Sequence, residues 1–520
     1  MKEAFHWADQ TVARIIKQKG DKDCYVCASG ISPSGSIHIG NFREIITTEL
    51  IVRAFKKRGK KVRFIYSWDD YDRLRKVPAG ISGSYENYIG RPYCDIPSPY
   101  DKDLSYAAYF ENEFEQSLHQ VGIDAEYIRQ GYMYKKCTYK ELIKKVLRNT
   151  GSVKKILNKF RKTPLADNWY PVTVYCSSCG TDNTTLTSYN NEYLLKYTCS
   201  CGHNGETDFA KQGNVKLVWR VDWPMRWCYE QVDFEPGGKD HSSQGGSYDT
   251  ARIISKEIFD YEPPVYIMYD FVRIKGKGGK ISSSAGDVIR LKDVLDIYEP
   301  AMVRWLFASY RTNVEFAVSF DLDVLKYYED FDRLERRYFG QEPLSAKKKK
   351  QQERVYQLAQ PGSVYKDKPF RASFRHLCNI IQINSFDKSK TAAYYRKEIK
   401  NSYDEELLLQ RIERAVNWLE QYAPADFRFT VNETPVRIEL PPGYIGAFQE
   451  IRACLAGGGD IDELKLSQKF YELINKYQLD NKNFFYFFYK LLINKDKGPK
   501  LAGFILTIGA EKAANLLRNI

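Results

Sequence analysis

Short apolar runs and amphipathic segments alternate near the start of the chain. Residues 25–31 form an apolar run that is rich in β-forming side chains and is closed by glycine and proline, which predicts a buried strand of a parallel sheet. After Gly40, apolar residues recur at helical spacing as far as Gly59, and a second apolar run follows at residues 62–68. This order predicts a strand–helix–strand unit of the doubly wound α/β kind.

The pattern changes along the rest of the chain. Residues 1–22 predict an N-terminal helix, residues 77–100 are rich in Pro, Gly, Ser and Tyr and predict a long irregular connection, and residues 101–163 predict helices. Beyond Leu291 the α/β alternation ends and the chain becomes mostly helical, while residues 341–352, which contain four consecutive lysines, predict a solvated linker or boundary. A chain of 520 residues is too long for a single core, so we expect several domains.

Composition narrows the class of protein. The chain is 43% hydrophobic, its 11 cysteines form no disulfide framework, and it contains neither a signal peptide nor an apolar run long enough to span a bilayer, so we expect a cytoplasmic globular protein without a membrane partner. The net charge of +13 suits a polyanionic partner. The 39 tyrosines suit single-stranded RNA better than DNA, although most of them could equally be core residues.

The first candidate for chemistry is the turn between the first predicted strand and its helix, residues 33–41. Such turns are where open α/β sheets bind ligands, because the helix N-terminus offers unpaired N–H groups to an anion. Gly35 and Gly40 would let a nucleotide approach the backbone. His38 could donate to a phosphate oxygen, or it could be a structural histidine.

Far downstream, residues 275–284 contain three lysines and three glycines and end in serines. This composition predicts a mobile cationic loop that can close over a polyphosphate.

Four cysteines have the spacing of a tetrahedral metal site. Cys176 and Cys179 form one pair and Cys199 and Cys201 a second, which predicts structural zinc held between two knuckles; the alternative is a remnant fold that has lost its metal. Cys24 and Cys27 share the spacing of the first pair, but they lie on the first predicted strand and are interpreted as buried small hydrophobes.

Further candidates lie in aromatic and acidic segments. Residues 219–227 place three tryptophans around Asp222, which suits either an ammonium ligand or a core cluster with an Asp–Arg pair. The acidic cluster at residues 69–72 could likewise meet an ammonium group or cap a helix. The turn at residues 237–241 could present Asp240 to ribose hydroxyls and His241 to a substrate.

Together these motifs resemble the paired signatures of class I aminoacyl-tRNA synthetases. His38-Ile39-Gly40-Asn41 is similar to the His-Ile-Gly-His element and Lys280-Ile281-Ser282-Ser283-Ser284 to the Lys-Met-Ser-Lys-Ser loop, with Asn41 in place of the second histidine and Ser283 in place of the second lysine. The whole chain resembles the class I lysyl-tRNA synthetases of archaea and some bacteria. The similar stretches run from end to end, at residues 28–35, 63–69, 168–171, 219–227, 233–236, 238–241 and 497–504.

The resemblance implies a multidomain α/β protein. We expect a Rossmann-type doubly wound catalytic domain with an inserted zinc-binding module, and an all-α C-terminal anticodon-binding domain. The implied boundaries are 1–290 for the catalytic domain, 77–214 for the insertion, about 170–205 for the zinc module within it, 291–345 for a helical stem-contact region and 353–520 for the anticodon-binding domain.

The resemblance also implies the reaction and its residues. The protein would activate L-lysine with ATP, with Mg²⁺ on the phosphates and one structural Zn²⁺ on the four cysteines, and would transfer lysine to the terminal ribose of tRNA(Lys). His38 and Lys280 would be catalytic. The other implied contacts are Pro33, Gly35, Gly40, Asn41, Asp240, Ser282 and Ser283 for ATP, and Gly30, Ser32, Trp219, Asp222, His241 and Tyr269 for lysine.

Two alternatives belong to other classes. A small-molecule nucleotidyltransferase would share the histidine turn but would form its product without tRNA, and a non-catalytic RNA-binding paralogue would not turn over ATP. A glutamyl-tRNA synthetase fits less well, because glutamate needs cations where this chain offers Asp222 and tryptophans.

Overall fold

The computed structural model describes residues 6–276, 288–457 and 461–520. The predicted site residues Lys280, Ser282 and Ser283 therefore lie outside the described residues. The chain forms two compact units, of which the first comprises Met1–Val318 and Gly340–Val364 and the second Ser319–Phe339 and Tyr365–Ile520. None of the helices in the described ranges is long and apolar enough to cross a membrane.

All strands in the described ranges belong to the first unit. In chain order they are β1 (Cys24–Ile31), β2 (Lys61–Trp68), β3 (Glu126–Arg129), β4 (Val172–Val174), β5 (Thr184–Tyr189), β6 (Leu194–Cys199), β7 (Asn204–Asp208), β8 (Val215–Leu217), β9 (Phe234–Gly238), β10 (Val265–Tyr269), β11 (Val272–Ile274) and β12 (Phe316–Val318). The α-helices of this unit before residue 318 are α1 (Trp7–Lys19), α2 (Ile39–Lys57), α3 (Tyr106–Gln120), α4 (Gln130–Lys135), α5 (Lys140–Arg148), α6 (Thr150–Asn158), α7 (Trp219–Glu230), α8 (Ser247–Glu257), α9 (Leu291–Leu295) and α10 (Pro300–Ser309).

The central sheet is parallel and doubly wound. Its five strands follow the order β10-β9-β1-β2-β3, so the chain winds outward from β1 in one direction and then returns to add β9 and β10 on the other side. The reversal lies between β1 and β9, and the carboxyl ends of strands at such a switch point are where ligands bind in open α/β sheets. The predicted strand–helix–strand unit is confirmed as β1, α2 and β2.

The strand β3 corrects the prediction of helices alone over residues 101–163. It pairs with β2 from Ile65 opposite Glu126 to Trp68 opposite Arg129, and it forms the edge of the sheet. The strand has only four residues and stands between α3 and α4, so its period of two is too short to appear against the helical pattern around it.

The cysteines lie in a small antiparallel region that we call the cysteine module, residues 172–217. Its outer strands β4 and β8 pair with each other, and β5, β6 and β7 form a three-stranded sheet between them in the chain. Tyr197 and Leu195 are fully buried in the core of this region. The same core continues into residues of α5 to α8, so the module is packed against helices of the first unit.

The second unit is helical. Its first helix is α11 (Asp323–Tyr338); the chain then returns to the first unit for α12 (Ala346–Ala359), and the remaining helices are α13 (Phe374–Ile383), α14 (Lys388–Tyr394), α15 (Ser402–Gln421), α16 (Pro442–Ala456), α17 (Glu463–Lys476), α18 (Asn481–Ile493), α19 (Leu501–Ile508) and α20 (Ala510–Leu516). Phe374, Trp418, Phe484 and Phe488 are buried in this unit. A guanidinium–carboxylate pair, Arg411 with Asp332, is buried beside them.

The predicted linker at residues 341–352 is in part helical, because α12 begins at Ala346. Tyr356 and Leu358 of this helix are buried, and the side chain of Arg304 donates to the carbonyl oxygen of Leu358. The four-lysine run that suggested a linker lies in the first turn of a helix whose later residues pack into the first unit, and Lys348, Lys349 and Lys350 are exposed.

Candidate functional site

A cleft of about 590 Å³ lies among the residues that follow β1, β2, β9 and β10. That volume is within the range of small-molecule and cofactor sites. The lining brings together six of the predicted site residues: Ser32, His38, Gly40, Asn41, Asp240 and Tyr269.

His38 caps the helix that begins in this cleft. Its Nδ1 accepts a hydrogen bond from the backbone N–H of Asn41 at 3.1 Å, and the side chain of Asn41 accepts from the backbone N–H of His38 at 3.2 Å. This reciprocal arrangement is a capping box, which satisfies two amides at the start of α2. Because Nδ1 is an acceptor, the neutral imidazole carries its hydrogen on Nε2. The backbone N–H of residue 41 therefore sets the tautomer of His38, and the side chain of Asn41, which stands in place of the expected histidine, completes the cap.

Gly40 is needed by the geometry of this cap. A Cβ atom at position 40 would lie 2.8 Å from Nδ1 and 2.9 Å from Cε1 of His38. The predicted role of Gly40 was to let a nucleotide approach, and the structure adds that it makes room for the histidine ring.

Glu44, which the sequence analysis did not single out, contacts two of the predicted site residues. Its Oε1 accepts from the backbone N–H of Gly30 at 2.9 Å, and its Oε2 accepts from the hydroxyl of Tyr269 at 2.7 Å. Burial raises the pKa of the Glu44 carboxyl to about 8, although these two hydrogen bonds oppose the rise. Glu44 lies on α2, six residues after His38; the residue as a whole is partly exposed, but its carboxyl group is buried. Its signal in the sequence is a carboxylate within a helix whose neighbouring residues are mostly buried.

An aromatic group stands beside the carboxyl end of β9. Trp219 and Trp223 stack with their ring centroids 5.3 Å apart, and the ring of His241 lies 6.4 Å and 6.0 Å from them. Neither Trp219 nor His241 belongs to the lining of the 590 Å³ cleft. His241 directly follows Asp240, which does line the cleft, and Trp219 lies beside the His241 ring.

The surroundings of Asp222 match the second interpretation of the tryptophan segment, a core cluster with an Asp–Arg pair. It is 1% exposed, lies 3.5 Å from the ammonium of Lys216 and 3.4 Å from the guanidinium of Arg226, and accepts a hydrogen bond from the Tyr134 hydroxyl. Burial alone would lower the pKa of Lys216, but the carboxylates of Asp222 and Asp72 raise it instead. Asp222 is thus already paired within the protein.

The carboxylates of the acidic cluster after β2 each contact different partners. Asp69 pairs with Arg226 at 2.6 Å, and Asp70 accepts from the backbone N–H of Gly131 at 2.7 Å, at the start of α4. Burial raises the pKa of the Asp70 carboxyl to about 6. Asp72 lies 2.9 Å from Lys216 and accepts from the Ser32 hydroxyl at 2.9 Å. Of the three carboxylates, only that of Asp72 lines the cleft.

The remaining predicted ATP residues lie in the turn itself. Pro33 and Gly35 are buried, and Gly35 also lines a neighbouring groove. Arg75 and Lys76, which were not among the predicted residues, are exposed and form a cationic wall of the cleft.

The four predicted metal ligands converge. The Sγ atoms of Cys176, Cys179, Cys199 and Cys201 all lie within 4.8 Å of one another; Cys176 and Cys201 are 3.8 Å apart, and Cys179 and Cys199 are 3.6 Å apart. A regular tetrahedron with Zn–S bonds of about 2.3 Å has edges of about 3.8 Å, so the donor set fits Zn²⁺. Within residues 6–276, 288–457 and 461–520, this is the one group of His, Cys, Asp and Glu side chains close enough to hold a metal ion. Cys24, by contrast, is exposed and so is not the buried hydrophobe that was predicted, whereas Cys27 is.

Comparisons with known proteins show which family the chain belongs to. A family model described as tRNA synthetases class I (K) matches residues 5–362. A lysine–tRNA ligase of Borrelia garinii subsp. bavariensis is 44% identical to the chain over 98% of each. Lysine–tRNA ligases of Treponema pallidum and Pyrococcus furiosus are 42% and 39% identical, over 99% of this chain and 98% and 99% of their own length. Since the family model covers more than half of the chain and these relatives are similar to it from end to end, the chain belongs to the class I tRNA synthetases of the lysine group.

Proposed function

We propose that the chain is a lysine–tRNA ligase that works in two steps. In the first, the carboxylate of L-lysine attacks the α-phosphorus of ATP, and pyrophosphate leaves. In the second, the 2′-hydroxyl of the terminal ribose of tRNA(Lys) attacks the carbonyl carbon of lysyl-adenylate, and AMP leaves. A carboxylate is ionised at neutral pH, so the first step needs no general base and depends on positioning and on stabilisation of charge.

His38 would act on the phosphates. The capping box holds the ring at the N-terminus of α2 and leaves the hydrogen on Nε2, so the imidazole can donate to an oxygen of the α-phosphate as charge develops there. The amides at the start of α2 favour the same anion. Asp240 would bind the ribose hydroxyls, and Lys280, Ser282 and Ser283 belong to this proposal by their match to the family motif. Mg²⁺ would neutralise the β- and γ-phosphates.

Lysine would extend from Ser32 toward Glu44. We assign Glu44 as the acceptor of the substrate ε-ammonium, with Gly30 and Tyr269 holding its carboxylate in place. Trp219 and His241 would pack against the aliphatic stem. Asp222, which has its own buried partners, enters as part of the charge network behind the site rather than as a direct contact.

The observation that carries the choice of lysine is Glu44. A carboxyl whose pKa is raised to about 8 by burial becomes a good carboxylate only when a cation is brought to it, and an ammonium group supplies that cation. A carboxylate substrate such as glutamate brings no cation to stabilise the ionised form of Glu44.

The transfer step and the tRNA contacts rest on family membership. We propose that the helical stem-contact region at residues 291–345 and the anticodon-binding region at residues 353–520 hold tRNA(Lys), and that one Zn²⁺ on the four cysteines is structural. A measurement of tRNA(Lys) aminoacylation with and without the second unit's helices would test the tRNA part of the proposal.

The test of the function is amino-acid-dependent exchange of pyrophosphate into ATP across all twenty amino acids, with and without total tRNA. We expect exchange with lysine that His38→Ala lowers by about two orders of magnitude or more. His119→Ala, which removes an exposed histidine on α3, is the matched control and should leave exchange unchanged. Absence of exchange with every amino acid, in both conditions, would refute the proposal.

A further inference from the structure

The segment that follows β2, residues 71–73, forms part of the cleft wall through Asp72 and Arg73. It has no regular secondary structure of its own, so its position depends on what holds it. The cysteine module holds it at each of its three residues.

The contacts are independent of one another. The hydroxyl of Tyr175 donates to the backbone carbonyl of Tyr71 at 2.6 Å, and the hydroxyl of Tyr71 donates to the carbonyl of Gly213 at 2.6 Å. The guanidinium of Arg73 pairs with Asp182 at 2.8 Å. Each module residue here lies within residues 172–217, and Tyr175 directly precedes the metal-ligand candidate Cys176.

The middle contact reaches the amino acid site. Lys216 on β8 places its ammonium 2.9 Å from Asp72 and 3.5 Å from Asp222. The second oxygen of the Asp72 carboxylate accepts from the hydroxyl of Ser32, directly after β1. Lys216 therefore contacts Asp72, and Asp72 contacts Ser32, so these three residues connect the module to the proposed lysine site.

The register of the module fixes Lys216. It stands opposite Thr173 in the antiparallel pair of β8 with β4, and β4 leads within two residues to Cys176. A lysine side chain loses much conformational entropy when it is buried, so its position is sensitive to the strand that carries it. A change in the cysteine group would therefore act on the end of β4 and, through its pairing with β8, on Lys216.

We propose that Lys216 is a positioning residue for the lysine substrate, and that through it the cysteine module sets the affinity of the site for the amino acid. The inference rests on the proposed function, in which Ser32 contacts lysine. Without the ammonium, Asp72 turns away from Asp222 and Asp69 toward solvent, and the Ser32 hydroxyl loses its acceptor. ATP binding, which depends on the turn at residues 33–41, is not affected.

The test is steady-state pyrophosphate exchange by the full-length Lys216→Met protein, with lysine and ATP varied in turn. We expect the KM for lysine to rise at least tenfold, with the KM for ATP within about twofold of wild type. Lys196→Met removes a lysine from the same module that forms an exposed pair with Glu206, and it should match wild type in both constants.

Further variants keep the proposal open to refutation if Lys216→Met folds poorly. Tyr175→Phe removes only one hydroxyl and should raise the KM for lysine severalfold with an unchanged KM for ATP. In the double variant Lys216→Met/Asp72→Asn the buried charges are removed together, and the two effects on the KM for lysine should not multiply, because both act through Asp72.

The role of the cysteine group is tested by measuring lysine binding rather than turnover. Equilibrium dialysis of labelled lysine against Cys176→Ser protein should show weakened binding, while the retention of ATP is unchanged. Equal losses for lysine and ATP would show a general structural effect and overturn the proposal, as would a wild-type KM for lysine in folded Lys216→Met. A wild-type protein without any lysine-dependent exchange would instead overturn the proposed function itself.

Discussion

The assignment of Glu44 to the substrate ammonium makes a quantitative prediction for Glu44→Gln. The glutamine amide can accept from Gly30 N–H through its oxygen and donate to the Tyr269 hydroxyl, so both hydrogen bonds of the carboxyl keep a counterpart and the fold should be retained. What is lost is the charge. A hydrogen bond to a charged group contributes about 1.5–3 kcal/mol, so we expect the KM for lysine to rise roughly 10- to 150-fold.

The raised pKa of Glu44 gives the same prediction a pH signature. With a pKa of about 8, only about one-tenth of the carboxyl groups are ionised at pH 7, so lysine binding at that pH should release nearly one proton. The affinity of wild type for lysine should then rise about tenfold per pH unit up to pH 8 and level off above it. In Glu44→Gln this dependence should disappear.

The assay is calorimetric titration of lysine in two buffers with different ionisation enthalpies, which yields the number of protons released. Glu126→Gln, on the exposed edge strand β3, is the matched control and should release as many protons as wild type. If Glu44→Gln binds lysine as tightly as wild type, or still releases a proton at pH 7, then Glu44 does not receive the ammonium.

The sign for stability follows from the same pKa. The unfolded carboxyl ionises near its ordinary pKa of 4.5, whereas the folded one keeps its proton to about 8. The folded state of the free protein therefore binds more protons in this interval, and Glu44 makes the free energy of unfolding fall as pH rises from about 4.5 to 8. Denaturant unfolding with Glu44→Gln should show a smaller decline, and an unchanged one would contradict the assignment of that pKa.

Three further predictions concern other parts of the chain. Gly40→Ala should lower pyrophosphate exchange about as much as His38→Ala, because its Cβ displaces the histidine ring, while Gly151→Ala at an open helical position should be silent; normal exchange in Gly40→Ala would refute the role of the cap. Wild-type protein should carry one zinc per chain by mass spectrometry and Cys176→Ser should not, with Cys454→Ser as the control; a metal-free wild type would refute the fit of the four thiols. Arg411→Met should lower the free energy of unfolding of the second unit by about 3–5 kcal/mol, because Asp332 stays buried without its partner, and a loss no larger than that of the exposed Arg333→Met would contradict this account.

The parts of the fold that were predicted from sequence are those with strong periodicity. The apolar runs of β1 and β2 and the helical spacing of α2 predict the centre of the sheet, and glycines mark the ends of the strand and helix patterns. The edge strand β3 escaped because four half-exposed residues between helices carry almost no periodic signal. The run of lysines was misleading for a related reason: charge shows that a surface is solvated but does not show whether the backbone is helical.

The parts of the site that could be predicted are those that short sequence motifs define. The cysteine spacing predicted a convergence that the structure contains, since two pairs of thiols on adjacent turns can meet with little long-range information. Glu44 and Lys216 were missed because their roles depend on partners far away in the chain, Tyr269 for the first and Asp72 for the second. For Asp222, sequence could not separate an ammonium pocket from an internal ion pair, because the deciding neighbour, Lys216, lies outside the tryptophan segment.

The order in which the chain visits its two units limits how the gene can be shortened. The first unit is completed only by Gly340–Val364, after Ser319–Phe339 has been given to the second. A premature stop codon between these segments would delete α12 and remove the Leu358 carbonyl that receives the buried Arg304, leaving a guanidinium in the core with one acceptor fewer. A protein that consists of the first unit alone cannot therefore arise by a single truncation, because an internal deletion is required as well. Loss of the second unit during evolution would need two coordinated genetic events.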